Sequence, residues 1–135
     1  MYTLTLTEQQ LRMIEGALES VARMSLGQPE MCLQYAKDTE GVPLYDYSLT
    51  KQIEEIIKPK MGLLPNASWG VGAFPETDAM IDIRDVIRHR LSWDIAVKEG
   101  LTDGNKRVWS SMMGVCYDEP FHWNKKIPLP TISKC

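Results

Sequence analysis

The segment from Glu76 to Gly100, ETDAMIDIRDVIRHRLSWDIAVKEG, constrains the fold more than any other part of the chain. It carries a helix-start signal at Thr77/Asp78, apolar residues recurring every three or four positions, and a glycine stop at Gly100. On a helical wheel Met80, Ile83, Ile87 and Leu91 form one stripe, with Ala79, Val86, Trp93 and Val97 alongside. Arg90 and Asp94 fall in the same arc, one turn apart, and should pair. A helix this long in a chain of 135 residues has to be the element the others pack on.

A second long helix is signalled near the start. Tyr2 to Leu6 alternates leucine and threonine, the pattern of a short half-buried strand, and Thr7-Glu8-Gln9-Gln10 is a capping box opening a helix from Glu8 to about Ser25. On its wheel Leu11, Ile14, Leu18, Val21 and Ala22 share a face widened by Met13, Ala17 and Met24. Arg12, Glu15, Glu19 and Arg23 lie opposite. The apolar arc predicts an inward face, wide enough to meet more than one neighbour.

Between these helices the signals are weaker. Pro29 can open a short helix through Tyr35 or Lys37, and residues 38–47 read as loop. Ser48 is a plausible N-cap for a helix through Lys58 that Pro59 limits, with Leu49, Ile53, Ile56 and Ile57 on one side. Residues 61–75 are too rich in glycine and proline for a helix, and a long loop holding Trp69 at its middle suggests order with a function. This loop, with the short second helix, is expected over one end of the long helices. After Gly100 a turn at 101–106 leads to residues 107–117, read as a helical turn followed by a strand. The tail from 118 is extended, with Ile127 to Ile132 confined by its prolines to an edge. The fold class is therefore mainly α (α+β): one globular domain over 1–135, two long packed helices, two short ones and a small β element from the termini.

Composition excludes several classes. Hydrophobic residues at 44% and charged residues at 24% describe a folded chain rather than a disordered one. A net charge of -3 opposes nucleic-acid binding. No apolar run approaches the roughly 20 residues a membrane span needs. Cys32, Cys116 and Cys135 lack zinc-type spacing and read as reduced thiols in a cytoplasm. Serines without a nucleophile-elbow context and the lack of a phosphate-binding Gly-Lys-Ser/Thr loop favour a binding protein over an enzyme. The sets Asp82/Asp85/His89 and Asp118/Glu119/His122 match no recognised ligand pattern, so neither a metal nor another cofactor is expected.

The blocks Leu4-Thr5-Leu6-Thr7-Glu8 with Gly27-Gln28, Pro65-Asn66-Ala67-Ser68-Trp69-Gly70, Val86 to Asp94, and Tyr117-Asp118-Glu119-Pro120 running on to Pro128-Leu129-Pro130 span nearly the whole chain. In their order they resemble a group of short, mostly uncharacterised proteins of tailed bacteriophages. The resemblance implies a viral accessory protein of the host bacterial cytoplasm, of a type that often counters host defence. It carries no catalytic motif.

The candidate site residues come from the side chains themselves. Arg84 and Arg88, one turn apart beside Ile81 and Ile95, read either as a solvated basic edge or as a contact face for an anion or a second subunit. Arg90, held by Asp94, either braces the loop from Asn66 to Gly72 or contacts a ligand. Trp69 and Trp123, in irregular segments, are the accessible aromatics on which a purine could stack. Arg84, Arg88, Arg90, Asp94, Trp69, Trp123 and Asn66 thus form the expected site for a small anionic, nucleotide-derived ligand. The alternative is an inhibitor that contacts a host enzyme through the same surface. A homo-oligomer is expected from the wide apolar faces, and Arg88→Ala should leave the fold intact.

Overall fold

The computed structural model describes residues 1–100 and 119–135. Four helices follow in order: α1 (Glu8–Ser25), α2 (Glu30–Leu33), α3 (Tyr47–Lys60) and α4 (Pro75–Lys98). The expectations for 101–118, including the turn, the helix-then-strand reading and Asp118, lie outside the described residues.

The helix ends follow local chemistry. Thr7 and Gln10 form the reciprocal capping box at α1, satisfying two backbone donors that the first turn leaves open. At α3 the cap is Asp46 rather than Ser48: its carboxylate accepts from the Leu49 amide at 2.8 Å. Pro59 falls in the last turn of α3 without ending it, and the helix runs on to Lys60. Helix α4 starts at Pro75, ahead of Thr77, because proline at the first helical position needs no donor there. Helix α2 is a single turn, shorter than expected.

Helices α1 and α4 form the principal packing of the molecule, with α2 seated on α1. Among the described residues the buried apolar side chains are Ala22, Leu26, Ala79, Ile81, Ile87, Leu91 and Ala96. A Cβ at Gly16 would collide with the Tyr35 hydroxyl, which explains how the chain after α2 lies so close to α1. Helix α4 is buried on more than one side: Thr77, Asp78, Ile81, Asp82, Ser92 and Ala96 are all enclosed.

Helix α1 reverses the expected polarity. Glu15, Glu19, Ser20 and Ala22 are its buried residues, whereas Met13, Ala17, Val21 and Met24 face outward. The charged arc meets α4, and Leu11, Ile14 and Leu18 are only half-buried. Ile81, expected beside Arg84 and Arg88 at the surface margin, is in the core, and Asp82 is buried.

The loop after α3 is stitched across one end of the two long helices. Trp69 N–H donates to the Leu26 carbonyl at 2.9 Å, Gln28 to the Ser68 hydroxyl at 3.1 Å, and Gly72 N–H to the Asp78 carboxylate at 2.8 Å. Lys58 adds a bond to the Pro65 carbonyl at 2.9 Å. Ser25 and Thr77 join the adjoining helix ends through their hydroxyls, 2.8 Å apart.

The expected β element of the termini does not form among the described residues. Their β pairing consists of one isolated antiparallel bridge, Lys37 to Pro43, within the loop after α2. Residues 1–7 have no ladder partner, and Leu4 is exposed. The C-terminal tail runs nearby, but Pro128 and Pro130 lack the N–H groups a ladder needs.

Candidate functional site

Two groupings of charge involve the expected ligand residues, and they differ in what they leave free. The first is the α1–α4 seam. Arg84 pairs with Glu19 and, at 2.7 Å, with Asp85. Arg88 pairs with Glu15 and reaches Glu19 at 3.5 Å, and Arg23 of α1 also binds Glu19. Glu19 is thereby surrounded by three guanidiniums. Burial alone would raise its pKa, but the hydrogen bond from Arg23 and the charges of Arg84 and Arg88 outweigh that, and the carboxyl sits below its ordinary value. For Arg84, burial is likewise outweighed, by Asp85 and Glu19, so its pKa is raised.

This arrangement decides between the readings of Arg84 and Arg88 in a way the wheel did not anticipate. Neither is a solvated edge, because both side chains are mostly buried, and neither offers an uncommitted positive charge. Their charge compensates carboxylates that would otherwise be stranded in the interface, where an unpaired ion costs several kcal/mol, on the order of 3–5. The sequence signal for this role existed at both ends, as Glu15/Glu19 and Arg84/Arg88 each one turn apart. It becomes a pairing only when the two helices are set side by side.

The second grouping is a cleft of about 1240 Å³, walled by residues 1–8, the last turns of α4 and residues 128–135. Arg90, Asp94, Ile95 and Lys98 line it from α4. Arg90 and Asp94 form the expected i, i+4 pair, Nη2 to Oδ1 at 2.5 Å. The Arg90 Nε is buried and has no hydrogen-bond partner. Arg12, bound to Glu8 at 2.7 Å, and Lys134 bring further positive charge to the same walls, with Glu8 and Glu99 opposing it.

The pair does not lie beneath the Trp69 loop. That loop is tied to Asp78, and Arg90 is twelve residues further along α4, about 18 Å at the helical rise. Trp69 and Trp123 are indeed partly accessible, at 38% and 44%. Each is occupied by another ring: Trp69 meets Phe74 edge-on with centroids 5.8 Å apart, and Trp123 meets Phe121 at 4.4 Å. Asn66 is exposed. None of these three lines the cleft, so Arg90 and Asp94 are the members of the expected set that it brings together.

Asp82, weighed in the sequence only with Asp85 and His89 as a metal set, has a different role. Its buried carboxylate accepts from the backbone N–H groups of Trp123 and Asn124, both at 2.8 Å. Asn124 in turn donates to the Pro75 carbonyl at 2.6 Å and accepts from Lys126 N–H at 3.0 Å. This clamp fixes the tail on its own domain. His122 is 4.0 Å from the same carboxylate.

Among the described residues no group of three or more His, Cys, Asp or Glu side chains is placed to hold a metal ion. No helix among them is long and apolar enough to cross a membrane. Cys32 donates to the Ser20 carbonyl, and burial pushes its thiol pKa up, away from the thiolate a nucleophile needs. Comparison with protein-family models, with curated proteins and with solved structures gives no match.

Proposed function

We propose that this chain is a non-enzymatic accessory protein of the tailed-phage type that captures a small anionic, nucleotide-derived host molecule in the cleft between its termini. The observation that carries the reading is Arg90. Its guanidinium is oriented by Asp94 and lines the cleft, and its buried Nε has no partner within the protein. The Arg90 side chain is 36% exposed, and a guanidinium already oriented by a carboxylate is suited to meet a phosphate or carboxylate oxygen. Lys98 and Lys134 add charge that a small anion could reach by side-chain rotation. Arg84 and Arg88 serve this function indirectly, by holding α4 in register with α1.

Isothermal titration with AMP, ADP-ribose and a cyclic dinucleotide tests the proposal, together with native mass spectrometry of protein purified from bacterial lysate. Binding of at least one probe, lost in Arg90→Ala with an unchanged melting temperature, is the expected result. No heat from any probe and no retained small molecule would sink it.

A second reading has its own support. The exposed ring pairs Trp69/Phe74 and Phe121/Trp123 both lie by the N-terminal half of α4, the kind of aromatic surface that anchors protein contacts. On that reading the chain inhibits a host enzyme. A pull-down retaining one stoichiometric host protein, released by Trp123→Ala and not by Arg90→Ala, would favour it over ligand capture.

A further inference from the structure

The walls of the cleft between the termini are aliphatic, which limits what an anion bound there can usefully carry. Leu91 is buried in the wall, and Leu6, Ile83, Ile95, Leu129 and Ile132 line it half-buried, each with hydrocarbon left toward the open space. Among the described residues the one aromatic ring in the lining is that of Tyr2, which is fully exposed. A purine would therefore find little to stack on. Walls of leucine and isoleucine instead match a flexible hydrocarbon chain.

Charge and hydrocarbon are also separated along α4. Ile83, Arg90, Asp94 and Lys98 share one stripe of the helix, charged from Arg90 onward, and Ile83 lies seven residues earlier, about 10 Å along the axis. Arg12, and with smaller effect Lys98 and Lys134, hold the Glu8 carboxyl below its ordinary value, so these cations gather at the charged end. Basic side chains of the lining outnumber acidic ones by four to three, enough for one anionic head rather than a polyphosphate.

We propose that the molecule captured here is amphipathic, with a single anionic head at Arg90 and Lys98 and a linear hydrocarbon chain laid along the aliphatic wall toward Ile83. This rests on the ligand-capture reading and narrows it to nucleotides whose phosphate carries an alkyl or acyl chain. Size favours the chain. At about 1240 Å³ the cleft exceeds the roughly 300–1,000 Å³ of sites for drug-sized ligands, so a nucleoside monophosphate alone would leave apolar wall wet beside it. Each methylene moved from water onto that wall tightens Kd about fourfold. The same head-and-chain chemistry occurs in a simple alkyl phosphate, and titration separates the two sources.

Isothermal titration of the tag-free full chain with AMP, its butyl and octyl phosphodiesters, and octyl phosphate tests this. The octyl ester should bind at least tenfold more tightly than the butyl ester, the butyl ester more tightly than AMP, and octyl phosphate more weakly than the octyl ester. Ile83→Gln and Leu129→Gln, on different walls and each checked for folding by circular dichroism, should flatten the dependence on chain length. Arg90→Ala should weaken the whole series. Affinity independent of chain length, or a dependence untouched by both glutamine variants, would overturn the inference and leave capture of a bare anion standing. Octyl phosphate binding as tightly as the octyl ester would uphold the chain and overturn the nucleotide-derived reading. No heat from any member of the series would overturn both.

Discussion

Glu19 and Arg84 are 65 residues apart in sequence and form an ion pair within the interface of the two longest helices. Removing one partner leaves the other charged and enclosed. Glu19→Ala is expected to cost about 3 kcal/mol, the lower end of the range for broken buried pairs, because Arg84 keeps Asp85. The double variant Glu19→Leu with Arg84→Met should recover part of that loss, since the apolar pair avoids the desolvation of Glu19 and Arg84 but leaves Asp85 without its Arg84 partner. Urea denaturation of the two singles and the double measures the coupling. Additive losses would show that the pair does not act as a unit.

The same carboxylate sets an acid limit on stability. With its folded pKa below the ordinary 4.5, Glu19 binds protons more weakly in the folded chain than in the unfolded one. Its contribution is complete above the unfolded value and disappears as pH falls through the folded value. Glu54, where Lys51 and Lys58 outweigh the effect of burial, acts in the same direction. Denaturant midpoints should be flat at neutral pH and fall below about pH 4.5. Glu19→Gln should reduce that slope. An unchanged acid profile in this variant would assign the slope to other carboxyls.

Asp82 should be tested through the tail rather than through global unfolding. Asp82→Ala removes the acceptor from two backbone donors, and hydrogen bonds to a charged group contribute about 1.5–3 kcal/mol each. The expected outcome is faster amide exchange at Trp123 and Asn124, with protection in α1 largely kept. Protection that persists at these amides would mean that the Asn124 bond to Pro75 suffices to hold the tail.

Gly27 and Gly41 give a matched pair of backbone tests. Both adopt positive φ, 90° and 80°. A Cβ at Gly41 meets nothing, whereas one at Gly27 would lie 2.8 Å from the Leu63 Cδ1. Gly41→Ala should therefore cost about 1–2 kcal/mol for the left-handed backbone alone, and Gly27→Ala distinctly more. Equal melting temperatures in the two variants would show that Leu63 simply moves aside.

Local chemistry made the helices legible. The Thr7 capping box, the Thr77/Asp78 start signal and the three-and-four spacing place α1 and α4 within a few residues of where they are. Orientation was not legible, because a wheel assigns the apolar arc to the inside whenever no partner is considered. Arg84 and Arg88 supply the counter-charge that makes the opposite docking tolerable, and they are remote in sequence from Glu15 and Glu19. Asp82 escaped for a similar reason. Its partners are backbone N–H groups of the tail, which leave no trace in side-chain composition. Of the candidate site, the Arg90/Asp94 pair could be read directly from its spacing. Its surroundings could not, since the cleft is made by the two ends of the chain folding back along one helix.

That last geometry bears on how the protein is handled. Met1 and Cys135 border the same cleft, so an affinity tag fused at either end begins at its mouth. A polyhistidine tail there places imidazoles and extra chain beside Arg90 and Lys98. It would compete with an anion or hide one carried through purification. Tag-free protein, or a tag inserted in the exposed turn around Gly41, keeps that entrance clear.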